Sequence, residues 1–268
     1  MTKGKERLPR ALVALALTAA LALAAAPAQA VSITFSGSSG NLAASATFEI
    51  VSEGADFDFL ITLTNTSIAD VTAPSQVLTG VFFSIAGDPT LNPYWAMVPG
   101  GSSVLNAPGS AVSGSLSPGG PDVGGEWAYR AGLVGAPNGA NQGISSAGLG
   151  LFGPSDRFRT DSNLQGPNSI NGLEYGITSA GDDPATINGD SVLGTTALIQ
   201  NSVVFALGAT LPGFSTGDIS NVSFQYGPSL TDTNVRVPEP TTLLLLGSGL
   251  LTLGFWGRRR LFNHGGKS

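Results

Sequence analysis

Four groups of side chains in this 268-residue chain have the types and spacing to do chemistry. In Gly181-Asp182-Asp183-Pro184 with Asn188, Gly189 and Asp190, three carboxylates and an amide oxygen fall within nine residues. These are the hard oxygen donors that Ca²⁺ takes. The spacing departs from the EF-hand loop, and the same residues also make a solvated turn between strands. A Ca²⁺ site at Asp182, Asp183 and Asp190 and a plain turn are therefore the two readings. The second group is Glu126 beside Trp127 and Tyr129, with Glu174 beside Tyr175. Glycoside hydrolysis needs two acids roughly 5 to 10 Å apart in a cleft with aromatic walls, and this is the best pairing the chain offers. Glu53, Asp56 and Asp58 form a third group at a hairpin-like turn, where the solvent face of an antiparallel sheet explains them. The fourth is Asn65-Thr66-Ser67 and Asn221-Val222-Ser223. Both match the N-x-[ST] glycosylation pattern, and both read equally well as polar residues at strand ends.

What is missing narrows the chemistry further. The chain has no cysteine, and its one histidine is His264 in the tail. Thiol catalysis, disulfides and thiolate metal sites are excluded, and the body has no imidazole for a Ser-His-Asp triad or a histidine-bound zinc. Residues 31–236 carry four arginines and no lysine against sixteen acids, a net charge of minus 12 that the whole-chain value of minus 6 conceals. Almost nothing there can neutralise phosphates, which argues against nucleic-acid binding.

The elements that must position these residues read as β-strands. Apolar and polar residues alternate in Ser45–Ile50, Asp56–Leu63, Val77–Ile85, Asn201–Leu207 and Asn221–Tyr226, with weaker candidates at Val31–Phe35, Glu126–Arg130 and Gly172–Ile177. Turn-forming clusters separate them, such as Gly87-Asp88-Pro89, Pro118-Gly119-Gly120-Pro121, Pro137-Asn138-Gly139 and Gly166-Pro167-Asn168. The expected fold is all-β: one antiparallel β-sandwich or jelly-roll-like domain, with a β-barrel as the alternative closure. Residues 98–170 are dense in Gly, Pro, Ser and Asn, and predict long loops packed on the sheets through Trp127, Tyr129, Phe152 and Phe158. Such a domain, at 206 residues, can hold together on its core alone without disulfides.

The ends are of another character. Lys3, Lys5, Arg7 and Arg10 precede an apolar stretch from Ala11 to Ala26, and Ala28-Gln29-Ala30 is a small-x-small cleavage box. This predicts a secretory signal peptide over 1–30, cut between Ala30 and Val31. At the other end Val237-Pro238-Glu239-Pro240 leads into an uncharged run from Thr241 to Trp256, including Leu243 to Leu246, and then Arg258, Arg259 and Arg260. With Gly257 the run reaches seventeen residues, the lower edge of a membrane-spanning helix of about 20. The arginines mark its cytoplasmic end, which places the body outside the cytoplasm. The two prolines around Glu239 cannot continue a helix and hold that segment extended, as a protease cleft requires.

This tail resembles the PEP-CTERM sorting signal of Gram-negative bacteria over about thirty residues. The resemblance implies recognition of Pro238, Glu239 and Pro240 by an exosortase, a membrane-embedded cysteine protease or transpeptidase. It also implies transient anchoring in the inner membrane, then passage to the cell surface or extracellular matrix. The expected organisation is a signal peptide (1–30), an exported β domain (31–236), a sorting and anchor segment (237–260) and a cytoplasmic tail (261–268). Two functions remain open. One is a non-catalytic surface or matrix protein associated with exopolysaccharide and biofilm, without a cofactor unless Ca²⁺ binds. The other is a secreted carbohydrate-active enzyme or lectin-like module.

Overall fold

The computed structural model describes residues 31–53, 56–105, 116–117, 120–158, 173–186, 196–209 and 214–238. The strands in these residues are β1 (Val31–Ser39), β2 (Leu42–Glu53), β3 (Asp56–Asn65), β4 (Leu78–Ile85), β5 (Asn92–Met97), β6 (Ser103–Leu105), β7 (Leu116–Ser117), β8 (Gly120–Pro121), β9 (Ala128–Ala131), β10 (Gln142–Ser145), β11 (Ile177–Thr178), β12 (Leu198–Gln200), β13 (Ser202–Ala209), β14 (Ile219–Tyr226) and β15 (Asn234–Arg236). The described helical pieces are three-residue 3-10 turns. Among the described residues no helix is long and apolar enough to cross a membrane. The hydrophobic segments expected at both ends lie outside the described residues.

The protein is all-β, with two main sheets. The first has the order β1-β2-β3-β13-β5 and is antiparallel throughout. The second runs β15-β14-β4-β11-β12-β6, with β10 beside β4 and β9 beside β10. One pair departs from the expected antiparallel pattern: β11 and β12 are parallel, with Ile177 opposite Ile199. Gly172–Ile177, read as a strand candidate, contributes only its last residue to β11. Residues 173–175 form a turn instead, in which Tyr175 takes φ +56° and Gly176 N–H donates to Leu173 O at 2.8 Å.

Alternation explains the first sheet. In β2 and β3, Ala44, Ala46, Phe48, Phe59, Ile61 and Leu63 are fully buried, while Ser45, Thr47, Thr62 and Thr64 between them are half-buried. In the second sheet β4 is buried along its whole length, because both of its faces are covered. Val81, Phe83 and Ile85 enter the main core, whereas Phe82 joins a separate cluster with Ala128, Leu133 and Phe152. The main core draws on both sheets: Phe48 of β2 meets Phe83 of β4 edge-on with centroids 5.2 Å apart, and Phe59 stacks on Phe48 at 5.8 Å.

Candidate functional site

The fold brings Glu126 and Glu174 together, although 48 positions separate them in the chain. Glu126 ends a 3-10 turn, Gly124–Glu126, that leads through Trp127 into β9. Trp127 is fully buried with its ring 4.9 Å from Phe205. Phe158 N–H donates to Trp127 O at 3.0 Å, and Arg157 forms a β-bridge with Ala128. That bridge places the Arg157 guanidinium within electrostatic reach of Glu126. On the other side, Tyr175 N–H donates to Ala197 O at 2.7 Å, anchoring the turn that carries Glu174.

Electrostatically this is an acid pair with one member, Glu126, buried and the other, Glu174, half-buried. Glu126 is only 3 % exposed, and burial pushes its carboxyl up to about 7, partly offset by Arg157 and reinforced by the Glu174 charge. Burial also raises Glu174, and it raises the Tyr175 phenol, to which both glutamates add. Trp127 Nε1 and Glu174 Oε2 are buried without a hydrogen-bond partner in the structure. A carboxyl that stays protonated near neutrality can donate a proton, yet Glu126 is shut away from solvent where a general acid must meet its substrate. Tyr129, the third aromatic of this group, is turned elsewhere: its hydroxyl donates to Gln142 Oε1 at 2.9 Å, and Gln142 Nε2 donates to Pro89 O at 2.9 Å.

The acidic loop recruits a residue that its local sequence does not announce. Asp182 Oδ1 accepts the Val71 N–H at 2.9 Å, and Asp70 Oδ1 accepts the Asp183 N–H at 3.0 Å. The Thr186 hydroxyl donates to Asp70 Oδ2. Asp183 Oδ1 meanwhile accepts the Ala185 N–H at 3.0 Å, an Asx turn. Burial raises the Asp182 carboxyl, while Asp70 is held below the usual carboxylate range chiefly by the Thr186 hydroxyl. Among the described residues no three carboxylates converge as metal ligands; Asp190 lies outside them. Asp70 precedes Asp182 by 112 positions, so only the fold brings it here. Arg157 was equally silent, since nothing near it in sequence points to Glu126.

The remaining candidates have structural employment. Glu53 and Asp56 are register partners at the end of the β2–β3 ladder. Asn65 is buried, its Nδ2 donating to Ile177 O at 2.9 Å and its Oδ1 accepting from Ser67 N at 3.1 Å. Asn221 takes φ +53° and donates through Nδ2 to Ser84 Oγ at 3.2 Å.

At the C-terminal end, β15 pairs with β14 and Val237 N–H donates to Val222 O at 3.0 Å. Pro238 follows at once and is exposed. Residues 236–260 match the family described as the PEP-CTERM protein-sorting motif. The chain carries a PEP-CTERM sorting motif. That makes it an exported protein, anchored in the membrane before exosortase processing. No curated protein and no solved structure matches the chain. Of the recognition residues, Pro238 is described; Glu239, Pro240 and the arginines Arg258, Arg259 and Arg260 lie outside the described residues, as do Ala28 and Ala30 of the signal-peptide box.

Proposed function

We propose that this is a non-catalytic protein of the cell surface or extracellular matrix, associated with exopolysaccharide in a biofilm layer and delivered there through its PEP-CTERM signal. In this reading the two sheets pack as a β-sandwich, which the mixing of their side chains in one core supports. The carrying observation is the sorting motif at 236–260, joined directly to an acidic all-β body. The burial of Glu126 supports a non-catalytic role, because one acid of the chain's best pair is withdrawn from substrate. The apolar run after Pro240 serves as a transient inner-membrane anchor. Nucleic acid is not a partner of so acidic a surface.

The test is cellular. Replacing Pro238, Glu239 and Pro240 by alanine leaves export intact and traps the protein in the inner-membrane fraction. Release of this variant at the normal rate would remove the reading. Matrix association is read separately, by co-sedimentation of the processed protein with the exopolysaccharide of its own cells.

A second reading rests on the Glu126–Glu174 pair beside Trp127 and Tyr175: a carbohydrate-active enzyme or lectin-like module. As an enzyme it requires reducing ends to appear when the processed protein meets polysaccharide, and their loss in both Glu126→Gln and Glu174→Gln; as a lectin-like module it requires saturable binding of the polysaccharide with no new reducing ends.

A further inference from the structure

Where β13 meets β5 the register shifts between Ala206 and Leu207, whose partners are Trp95 and Pro93, and Tyr94 is the residue left over. Such a bulge breaks the alternation that sends neighbouring side chains to opposite faces. Trp95 stands opposite Ala206 on the outer face of the first sheet, because Val203, Phe205 and Leu207 of the same strand enter the core. Tyr94 joins it there. A Cβ on Gly208 would collide with Tyr94 Cε2, Cζ and Oη, so the ring lies on the sheet in the space that a side chain of β13 would take. It is still 38 % exposed. Across the sheet the outer face changes from rings to hydroxyls. The register leads from Met97 of β5 through Val204, Thr62 and Thr47 to Thr34 of β1, and the Thr47 and Thr34 hydroxyls are hydrogen-bonded at 2.9 Å. The neighbouring row starts at Trp95 and ends through Leu60 and Glu49 at Ser32, and Glu49 is the one charged side chain in the two rows. Thr34 and Ser32 are exposed, while Trp95, Thr62 and Thr47 are half-buried. Each row crosses all five strands of the sheet, about 19 Å at the usual strand spacing.

We propose that this face, from Tyr94 and Trp95 to the hydroxyls of β2 and β1, binds a neutral polysaccharide chain. The proposal rests on the matrix reading and adds the surface that makes the contact. An aromatic face is apolar and carries negative potential, which suits the C–H face of a sugar ring. Threonine and serine hydroxyls both donate and accept, as sugar hydroxyls do. A row about 19 Å long takes a segment of chain rather than a single sugar. Charge decides among the polymers. With no cation in either row, on a body of net charge minus 12, an acidic polysaccharide or a nucleic acid finds nothing to neutralise it. A protein partner would need an apolar centre, and here the apolar part gives way to hydroxyls from Thr62 onward.

The experiment takes the processed protein as its cells release it and runs affinity electrophoresis through gels holding hydroxyethylcellulose, a neutral glucan, or alginate, a polyuronate. Saturable retardation by the glucan and none by alginate is the expected result. Tyr94→Ala should weaken it at least about fivefold, whereas Tyr94→Phe, which keeps the ring, retains it. A second measurement needs no alanine variant: bound glucan shields Trp95 from acrylamide quenching, and the shielding is lost in Trp95→Phe. No retardation by the glucan, equal retardation by alginate, or a Tyr94→Ala protein that binds like the parent overturns the proposal. So does self-association that Tyr94→Ala abolishes, since a second copy would then be the occupant. Co-sedimentation with the exopolysaccharide of the protein's own cells separates the two failures. If parent and Tyr94→Ala co-sediment equally, the face is wrong and the matrix reading stands; if the parent binds the glucan through Tyr94 without co-sedimenting, the matrix reading falls and the face stands.

Discussion

The side-chain amide of Asn65, at the end of β3 in the first sheet, donates to the main-chain carbonyl of Ile177 in β11 of the second, 2.9 Å away. Its oxygen takes the Ser67 N–H, so one buried side chain both ties the two sheets and ends a strand. Asn65→Ala leaves the Ile177 carbonyl and the Ser67 N–H short of a partner in the interior. The expected loss is about 2 kcal/mol of stability, read as a lower urea midpoint with an unchanged slope. A midpoint equal to that of the parent would show that water replaces the amide.

Glu126 makes stability depend on pH in an unusual direction. Its folded carboxyl titrates at about 7 against 4.5 for the ordinary group. Between those values the folded state binds more protons than the unfolded one, so stability is full below about 4.5 and falls as pH rises towards 7. The expected fall across the window is on the order of 2 kcal/mol, and Glu126→Gln flattens it. Thermal melts of both proteins from pH 4 to pH 8 measure this, and parallel curves would rule it out.

Gly143 of β10 is expected to tolerate no side chain. A Cβ there would lie 2.8 Å from Phe82 Cδ1 and 3.1 Å from Leu133 Cδ1. Phe82 is the fully buried ring that carries the second apolar cluster, and it has nowhere to retreat. Gly143→Ala should therefore cost about 1 to 3 kcal/mol through overpacking, with a matching drop in melting temperature. The same change at Gly40, whose Cβ would meet nothing within 4 Å, tests φ +62° alone and should cost less, about 1 kcal/mol.

The acidic loop separates cation binding from screening. If Asp182, Asp183 and Asp190 hold Ca²⁺, millimolar Ca²⁺ raises the melting temperature more than Mg²⁺ does at equal ionic strength, and the excess vanishes in Asp183→Ala. The hydrogen bonds already made by Asp182 and Asp183 favour the other outcome, equal shifts with both ions.

The clearest strand to read was one with a buried and a half-buried face: in β3 Phe59, Ile61 and Leu63 are buried while Leu60 and Thr62 are half-buried. Val77–Ile85 and Asn201–Leu207 were also read as strands and lie in β4 and β13, although β4 and nearly all of β13 are buried on both faces. β10 was invisible: Gln142, Gly143, Ile144 and Ser145 are all buried, and nothing in their order marks a face. β5 was hidden by Pro93, which its place at the edge of the first sheet permits. Residues 98–170, read as loops, also contain β6, β7, β8 and β10, while the weaker candidate Glu126–Arg130 overlaps β9; the aromatics there are packed as expected, with Trp127, Tyr129, Phe152 and Phe158 all buried. The sorting motif needed no fold to be read, since a membrane enzyme recognises it as a linear segment. The partners of the candidate acids did need one. Arg157 reaches Glu126, and Asp70 reaches Asp183, only through long-range pairing that no local pattern encodes.

The Tyr226 hydroxyl donates to Ala43 O across 183 positions of sequence, and Val235 to Val237 lie over Gly37. The opening strands of the body therefore wait for its closing ones. A chain that leaves the cell amino end first cannot complete this core while Ile219 to Val237 are still inside, and contacts so distant in sequence form slowly in any case. The sorting motif at 236–260 follows that closing strand at once, so the segment offered for processing is joined to a body whose core is complete only when its last strand is in place.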